Sequence, residues 1–354
     1  MIKVRVPATS ANLGPGFDSL GIALNIYNEY EFELKEDKGL FFEGVEEEFQ
    51  NEDNIIFMAI KKVFDKYDFK FNGIRIKIIK QDIPISRGLG SSSSCIVAGI
   101  IGAFALMGRE INRDEILSLA VDIEGHPDNV CPAIFGGLIS TIMVDNKKTV
   151  YNCVEVKDGI KFIALIPRFK LSTEKAREIL PKEVPFRDCI YNIGRAALLI
   201  SCFSNGNYAL LKEATKDRIH ERFRSKLIDN FDKVYNKSLE LGAFSCFLSG
   251  AGPTLMAIVD NENTKFVNYF TDFMKEQNIN WDIKELKIDS FGGVENKIIH
   301  LSKGLNLVYG ENEAGKSTIE EFIKVMLYGF PQKRGKGDGD RKRYLPFKGG
   351  VIRG

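Results

Sequence analysis

The sequence predicts a protein of mixed strands and helices, followed by a second, separately organised segment. Two short runs, residues 29–34 (Glu-Tyr-Glu-Phe-Glu-Leu) and 74–79 (Ile-Arg-Ile-Lys-Ile-Ile), alternate polar and apolar residues as half-buried strands do. The apolar stretch from Cys95 to Met107 is too long for a strand and rich in small residues, so it reads as a buried helix. Two glycine-rich loops, at residues 83–94 and 310–318, each lie between a strand and a helix. The second of these belongs to a run of elements that repeats nothing in the first.

Taken in order, residues 1–7 read as a strand entering a loop. After the helix ending at Met107, Asn112 with Glu115 three later makes a capping-box-like start. The helix it opens runs to about Glu124 and stops before Gly125 and Pro127. Residues 161–166 form a buried strand, and residues 188–241 are helical in pattern. Residues 244–248 and 254–259 flank the turn Ser249-Gly250-Ala251-Gly252-Pro253 and pair as strands. The second organisation begins near residue 284, with short strands at 284–288, 297–301 and 305–309, a loop at 310–318 and a helix over 319–327.

Of the 354 residues, 44% are apolar, enough for a sizeable core. No apolar run of about 18 residues occurs, and the N-terminus lacks the apolar core of a signal peptide. Six cysteines are scattered, with no CxxC and no Cys/His cluster. That argues against disulfides and zinc and for a reducing cytoplasm. The net charge of +1 hides an asymmetry: residues 333–354 carry eight Lys/Arg against two Asp, or +6, which leaves about −5 elsewhere. An acidic body argues against a nucleic-acid-binding domain, and the basic tail, broken by Gly335, Gly337 and Gly339, reads as a solvated loop.

Four segments carry chemistry. In Ile83-Pro84-Ile85-Ser86-Arg87-Gly88-Leu89-Gly90-Ser91-Ser92-Ser93-Ser94, Gly88 and Gly90 let the backbone approach a ligand, and the serines open a helix whose free N–H groups favour an anion. This is a phosphate cradle of a kind other than GxxxxGK[ST]; the plainer reading is a flexible loop and cap. In Pro7-Ala8-Thr9-Ser10-Ala11-Asn12-Leu13-Gly14-Pro15-Gly16-Phe17-Asp18, a dense set of turn formers presents Asn12 and Asp18, which suit a zwitterion. Glu124-Gly125-His126-Pro127-Asp128-Asn129 places a carboxylate at a helix end, as a magnesium nucleotide needs. Ser249-Gly250-Ala251-Gly252-Pro253-Thr254 is a second glycine turn, weak by itself.

Together, in their order along the chain, the four segments resemble the GHMP kinase superfamily over about residues 1–290. The Pro7–Asp18 and Glu124–Asn129 segments resemble, within it, the homoserine kinase family. The resemblance implies a two-lobed α+β fold. An N-lobe like the second domain of ribosomal protein S5 (residues 1–155) holds the nucleotide, and a ferredoxin-like lobe (156–289) completes the cleft. It implies ATP-dependent phosphorylation of L-homoserine to O-phospho-L-homoserine, in threonine biosynthesis. Ser92 and Glu124 would hold Mg²⁺, with Ser91 as the alternative to Ser92, and the backbone of Gly88, Leu89, Gly90, Ser91, Ser92, Ser93 and Ser94 would wrap the ATP phosphates beside Pro84. Asn54 would border the base, Asn12, Asp18 and Asn129 would hold homoserine, and Arg177 and Arg224 would clamp its carboxylate. Thr173 would lie near the transferred phosphate. Without the resemblance, the two arginines read as surface ion-pairing residues. Transfer would be direct and in line, with no dedicated strong base. A homodimer is the family's expectation.

Gly310-Glu311-Asn312-Glu313-Ala314-Gly315-Lys316-Ser317-Thr318 satisfies GxxxxGK[ST], with Lys316 for β/γ-phosphates and Ser317 for Mg²⁺. Residues 283–354 resemble the N-terminus of an SMC-type AAA ATPase of the bacterial YhaN-like kind. The 36 residues after Thr318 leave no room for that family's Walker B carboxylate and coiled coil, so residues 290–354 are expected to be an incomplete P-loop NTPase fragment. Trp281–Asp289 reads both as the last strand of the first part and as the first strand of the second. The rival readings are a GHMP kinase for another small molecule, such as mevalonate, and a DNA-associated ATPase carrying a kinase-like passenger.

Overall fold

The structure, a computed structural model, describes residues 1–144 and 148–287. The chain divides into two units, Met1–Asp289 and Ser290–Gly354. The strands, loop and helix expected over residues 297–327, with Gly310, Gly315, Lys316, Ser317 and Thr318, lie outside the described residues.

The first unit begins with strands β1 (Ile2–Ala11), β2 (Leu20–Lys35) and β3 (Gly39–Glu43), helix α1 (Ile55–Lys66) and strand β4 (Gly73–Gln81). Helices α2 (Ser91–Leu106), α3 (Arg113–Glu124) and α4 (Pro127–Phe135) follow, then the hairpin β5 (Leu138–Met143) and β6 (Thr149–Val154). β1 pairs antiparallel along β2, Ile2 opposite Phe32 and Ala11 opposite Gly21. The turn-forming segment from Pro7 is therefore strand as far as Ala11. The register shifts at Pro7/Ala8, where a residue without an N–H is tolerated. The other edge of β2 is shared between β4, opposite Asn28–Lys35, and β5, opposite Leu20–Ile22.

Side chains of this sheet (Val4, Val6, Tyr30, Phe32, Ile74, Ile76) meet Ile60 and Phe64 of α1 and Ile96, Ile100 and Phe104 of α2. α2 is apolar on all sides because it packs on β1 as well as on α1, α3 and α4. Asn112 Oδ1 accepts from Glu115 N at 3.1 Å, and Gly125 ends α3 at φ +87°, where the sequence placed both signals. Only half of the capping box forms, since the Glu115 side chain accepts from Lys66 and Tyr67 instead.

The second sheet has the order β10-β7-β9-β8 and is antiparallel throughout. Its strands are β7 (Ile160–Pro167), β8 (Ser245–Leu248), β9 (Leu255–Asp260) and β10 (Trp281–Leu286). Helices α5 (Thr173–Glu178), α6 (Phe186–Asn205), α7 (Leu211–Ala214), α8 (Glu221–Arg224) and α9 (Phe231–Glu240) lie between β7 and β8, and α10 (Phe266–Glu276) precedes β10. With α6 and α10 as crossovers, this is the ferredoxin-like pattern. β7 is apolar from Phe162 to Pro167 because both faces are covered. Phe162, Ala164 and Ile166 join Ile22, Leu24 and Phe203 on one side, while Ile163 and Leu165 join Val234, Phe266 and Phe270 on the other. Trp281–Leu286 is thereby assigned to this sheet, and Lys287 is tied on by two hydrogen bonds with Asn25. No described helix is long and apolar enough to cross a membrane.

Burial, and then the neighbouring Asp217, push the Glu221 carboxyl up to about 8, against a hydrogen bond from the Leu248 backbone that favours the charge. A pKa raised above the ordinary 4.5 means that the native state holds a proton which the unfolded chain has lost. Stability then falls as pH rises from about 4.5 toward 8. Glu221→Gln should lose this contribution, so urea midpoints at pH 5 and pH 8 should differ less in the variant than in the wild type. Parallel pH profiles would contradict it.

Candidate functional site

A cleft of about 420 Å³ gathers residues far apart in the chain. Asn12 and Asp18 come from the turn after β1, Asn54 from the start of α1, and Gly88, Gly90, Ser91, Ser92 and Ser93 from the loop into α2. Glu124 and Asn129 come from either side of the α3–α4 junction, Thr173 and Arg177 from α5, and Arg224 from α8. Three expected nucleotide-binding residues do not line it. The Leu89 side chain is fully buried in the core, its carbonyl taken by Thr9 N at 3.2 Å. Ser94 is likewise buried, its hydroxyl 2.8 Å from that of Tyr30, and Pro84 is off the wall. On a helix, each serine points about 100° from the last, so a run of four cannot all face one ligand.

The loop's glycines serve the protein's own backbone. A Cβ on Gly88 would sit 2.3 Å from Ser249 O, and one on Gly90 2.0 Å from Thr9 Oγ1. Both also hold positive φ, +74° and +70°. Gly90 caps α2 with no side-chain acceptor, which leaves the first N–H groups of the helix for an anion. Glu124 closes this end, with Ser92 Oγ donating to Oε2 at 3.2 Å and Ser93 Oγ to Oε1 at 2.8 Å. Two hydroxyls and a carboxylate are hard oxygen donors, the set that magnesium takes.

The other half holds two arginines. Arg224 is 2% exposed; its Nε donates to Ala176 O at 2.9 Å and its Nη1 to Gly250 O at 3.1 Å. Burial, and then the nearby Arg177, push its pKa down to about 10. Arg177 forms a two-pronged pair with Asp18, at 2.8 and 3.3 Å. Asn12 holds that carboxylate's backbone, accepting from Asp18 N at 3.0 Å while donating to Gly250 O at 2.9 Å. Asn129 Oδ1 accepts from Thr9 Oγ1 at 2.7 Å. Asn54 is spent on structure, capping α1 through Ile56 N and Phe57 N and donating to Phe49 O. Thr173 is the first residue of α5, behind its cap Ser172.

Sequence reasoning assigned no role to His126 and Asp128, whose Nδ1 and Oδ1 lie 2.6 Å apart in the cleft. Burial disfavours protonated His126, but the Asp128 hydrogen bond and charge outweigh it and raise the pKa above 6.5. Asp18, His126 and Asp128 bring their donor atoms within 4.8 Å of one another. The apolar wall (Val45, Phe49, Ile55, Ile56, Ile78) was missed as well. The cap at Asn54 was its one local signal.

Residues 54–137 match the GHMP kinases N terminal domain and residues 199–275 the GHMP kinases C terminal domain. Residues 285–351 match an AAA domain. A homoserine kinase of Clostridium botulinum (strain Alaska E43 / Type E3) is 56% identical over 294 residues, 83% of this chain and 98% of the relative. One of Clostridium beijerinckii is 56% identical over 292 residues, 82% and 97% of the two chains. The homoserine kinase structure from Cytophaga hutchinsonii superposes with a TM-score of 0.74 at 27% identity, covering 82% of this chain and 95% of that one. A putative homoserine kinase from Listeria monocytogenes gives 0.67 at 28% identity, covering 81% and 96%. A mevalonate kinase from L. major, at 16% identity, TM-score 0.65 and coverage of 82% and 96%, shares the fold. With relatives this similar along nearly their whole length, the chain belongs over about its first 290 residues to the homoserine kinase family of the GHMP kinases.

Proposed function

We infer that the first unit transfers the γ-phosphoryl group of ATP to the side-chain hydroxyl of L-homoserine. The observation that carries the reading is one cleft with two chemically different ends. An uncapped helix start with Glu124 and its serines suits a metal-bound polyphosphate. Asp18, Arg177 and Arg224 suit a small zwitterion. The apolar wall around Val45 and Phe49 suits the base, with Asn54 shaping it from behind.

Glu124 and the Ser92 hydroxyl are our candidates to hold Mg²⁺, with Ser93 a closer partner of Glu124 than Ser91. The ion, when bound, offsets phosphate charge. Asp18 and Arg177 already neutralise each other, and a zwitterion can replace both partners at once, its ammonium on Asp18 and its carboxylate on Arg177 and Arg224. Asp128 adds a second anionic group for the ammonium, and Asn129 and Thr173 border the space between the two ends. With Asp18 engaged by the ammonium, the reading is in-line transfer driven by positioning and charge, without a dedicated strong base. A mevalonate-type substrate lacks the ammonium that Asp18 would meet.

The second unit adds a further reading. Its AAA match and the GxxxxGK[ST] motif at Gly310–Thr318 favour a nucleotide site of its own, with Lys316 and Ser317 as phosphate and metal contacts, of the YhaN-like SMC type.

Three outcomes are expected. Offered homoserine, mevalonate and shikimate side by side with MgATP, the protein should phosphorylate homoserine, and Glu124→Ala should cut turnover by at least a hundredfold; full activity in that variant removes Glu124 from the site. Arg224→Ala should raise the KM for homoserine about tenfold or more, the loss of a charged hydrogen bond, roughly 1.5–3 kcal/mol, while the KM for ATP changes little. Equal effects on both would sink the carboxylate role. Lys316→Ala should leave homoserine phosphorylation unchanged, and a drop would tie the second unit to the first site.

A further inference from the structure

His220 is fully buried and does not line the cleft, yet it touches both of the segments that carry the charges at the cleft's arginine end. Its Nε2 lies 2.8 Å from Gly14 O. A carbonyl can only accept, so Nε2 carries the proton and Nδ1 holds a lone pair. Among the described residues nothing donates to that Nδ1. An acceptor stranded out of water costs free energy, and an apolar side chain of similar size would avoid the cost. A histidine at this place therefore needs an explanation, and the one hydrogen bond that its ring makes supplies it.

Gly14 opens the run Gly14-Pro15-Gly16-Phe17-Asp18, which ends on the Asp18 carboxylate. The His220 carbonyl accepts from Arg224 N at 3.1 Å, so the same residue opens α8, which ends on the Arg224 guanidinium. The His220 ring also lies 5.1 Å from that of Phe17, which both arginines approach. The backbone of His220 is itself fixed. The Asp217 carboxylate accepts from Ile219 N, His220 N and Glu221 N at 3.1, 2.8 and 2.7 Å, and from Asn192 Nδ2 of α6 at 2.6 Å. Asn192 Nδ2 also reaches Pro15 O, at 3.4 Å. A Cβ on Gly14 would sit 2.0 Å from Thr215 O, so the turn is seated directly against the chain that leads to Asp217.

We propose that His220 is a positioning residue that sets the separation of Asp18 from Arg224, and with it the length of amino acid that the site accepts; the inference rests on the homoserine reading above. With its ammonium on Asp18 and its carboxylate on Arg177 and Arg224, a substrate has its α-carbon held from two sides. The place its hydroxyl reaches is then set by the length of its side chain. One methylene more or fewer moves that oxygen off the phosphoryl group, and transfer is sensitive to displacements of about 1 Å. A turn free to shift against α8 lets the α-carbon move and relaxes this selection. The Gly14–His220 bond prevents the shift from a site that no substrate touches.

The test is steady-state kinetics of the full chain with MgATP, offering homoserine and its homologue one methylene longer. His220→Met, close in size to glutamine but without an N–H, should raise the KM for homoserine about tenfold and narrow the kcat/KM preference for homoserine about fivefold, with the KM for ATP unchanged. His220→Gln keeps an N–H near the place of Nε2 and should return most of both. A merely structural role would lower kcat for both substrates alike and leave KM and the preference as they were; that result overturns the proposal, and so does a His220→Gln no better than His220→Met. Should His220→Met fail to fold, Asn192→Ser, which withdraws the donor from Pro15, should narrow the same preference, and an unchanged preference there overturns the proposal. A wild type inert toward homoserine overturns the reading on which the inference rests, whereas an active wild type whose variants keep its preference overturns the positioning role alone.

Discussion

The peptide at Gly250 ties the site together. Its carbonyl accepts from Asn12 Nδ2 and from Arg224 Nη1, and its N–H donates to Ala11 O at 3.0 Å. One residue earlier, Ser249 Oγ is bonded to Ser10 Oγ at 2.8 Å and to Gly88 O at 2.6 Å. One turn of the second sheet thus fixes the end of β1, the loop into α2 and a buried arginine on α8. These groups are out of water, so each unmade bond would carry the full cost of a stranded donor or acceptor. The need for glycine at 88 follows, since the loop runs against Ser249 too closely for any Cβ. The loop proposed to hold phosphate on one side is shaped by contact with the turn on the other.

Much of this was legible in the sequence, for reasons that differ by element. Alternation gave β4 and the middle of β2 because each has one wetter face. The Asn112 cap and Gly125 stop bounded α3 because both act locally. α1 went unread although it is amphipathic, and α4 was hidden by Pro132 within it. β3, β5 and β6 are short and carry no clean alternation. The run near residue 284 fits two continuations equally well as sequence, and its pairing with β7 is a tertiary fact.

The candidate site divides the same way. Its loop residues announced themselves, because glycines, prolines and side chains such as Asn12 or Glu124 have few other reasons to cluster. The wall did not. Asn28, Tyr30, Ile78 and Gln81 are ordinary strand residues, and they line a cleft only because β2 and β4 pair in a register that no local pattern specifies. The serine run divides within itself, with the Ser94 side chain turned into the core by the helix that its neighbours open.

Two guanidiniums in one pocket would repel each other, and the structure shows how they are tolerated. Arg224 keeps its proton well above neutral pH even though burial and Arg177 push it down. Two backbone carbonyls take its N–H groups. Phe17 offers its ring to both arginines, 5.2 Å from the Arg224 guanidinium carbon and 5.7 Å from that of Arg177. Asp18, at the end of the same turn, balances the second charge. His220 also packs on Phe17, fully buried, its ring 5.1 Å away and its Nε2 on the Gly14 carbonyl. Burial holds this imidazole below its ordinary pKa, so no third cation joins the pair. The outcome is a pair of guanidiniums held in place by their protein partners before any anion arrives, the preorganisation that the proposed carboxylate role requires.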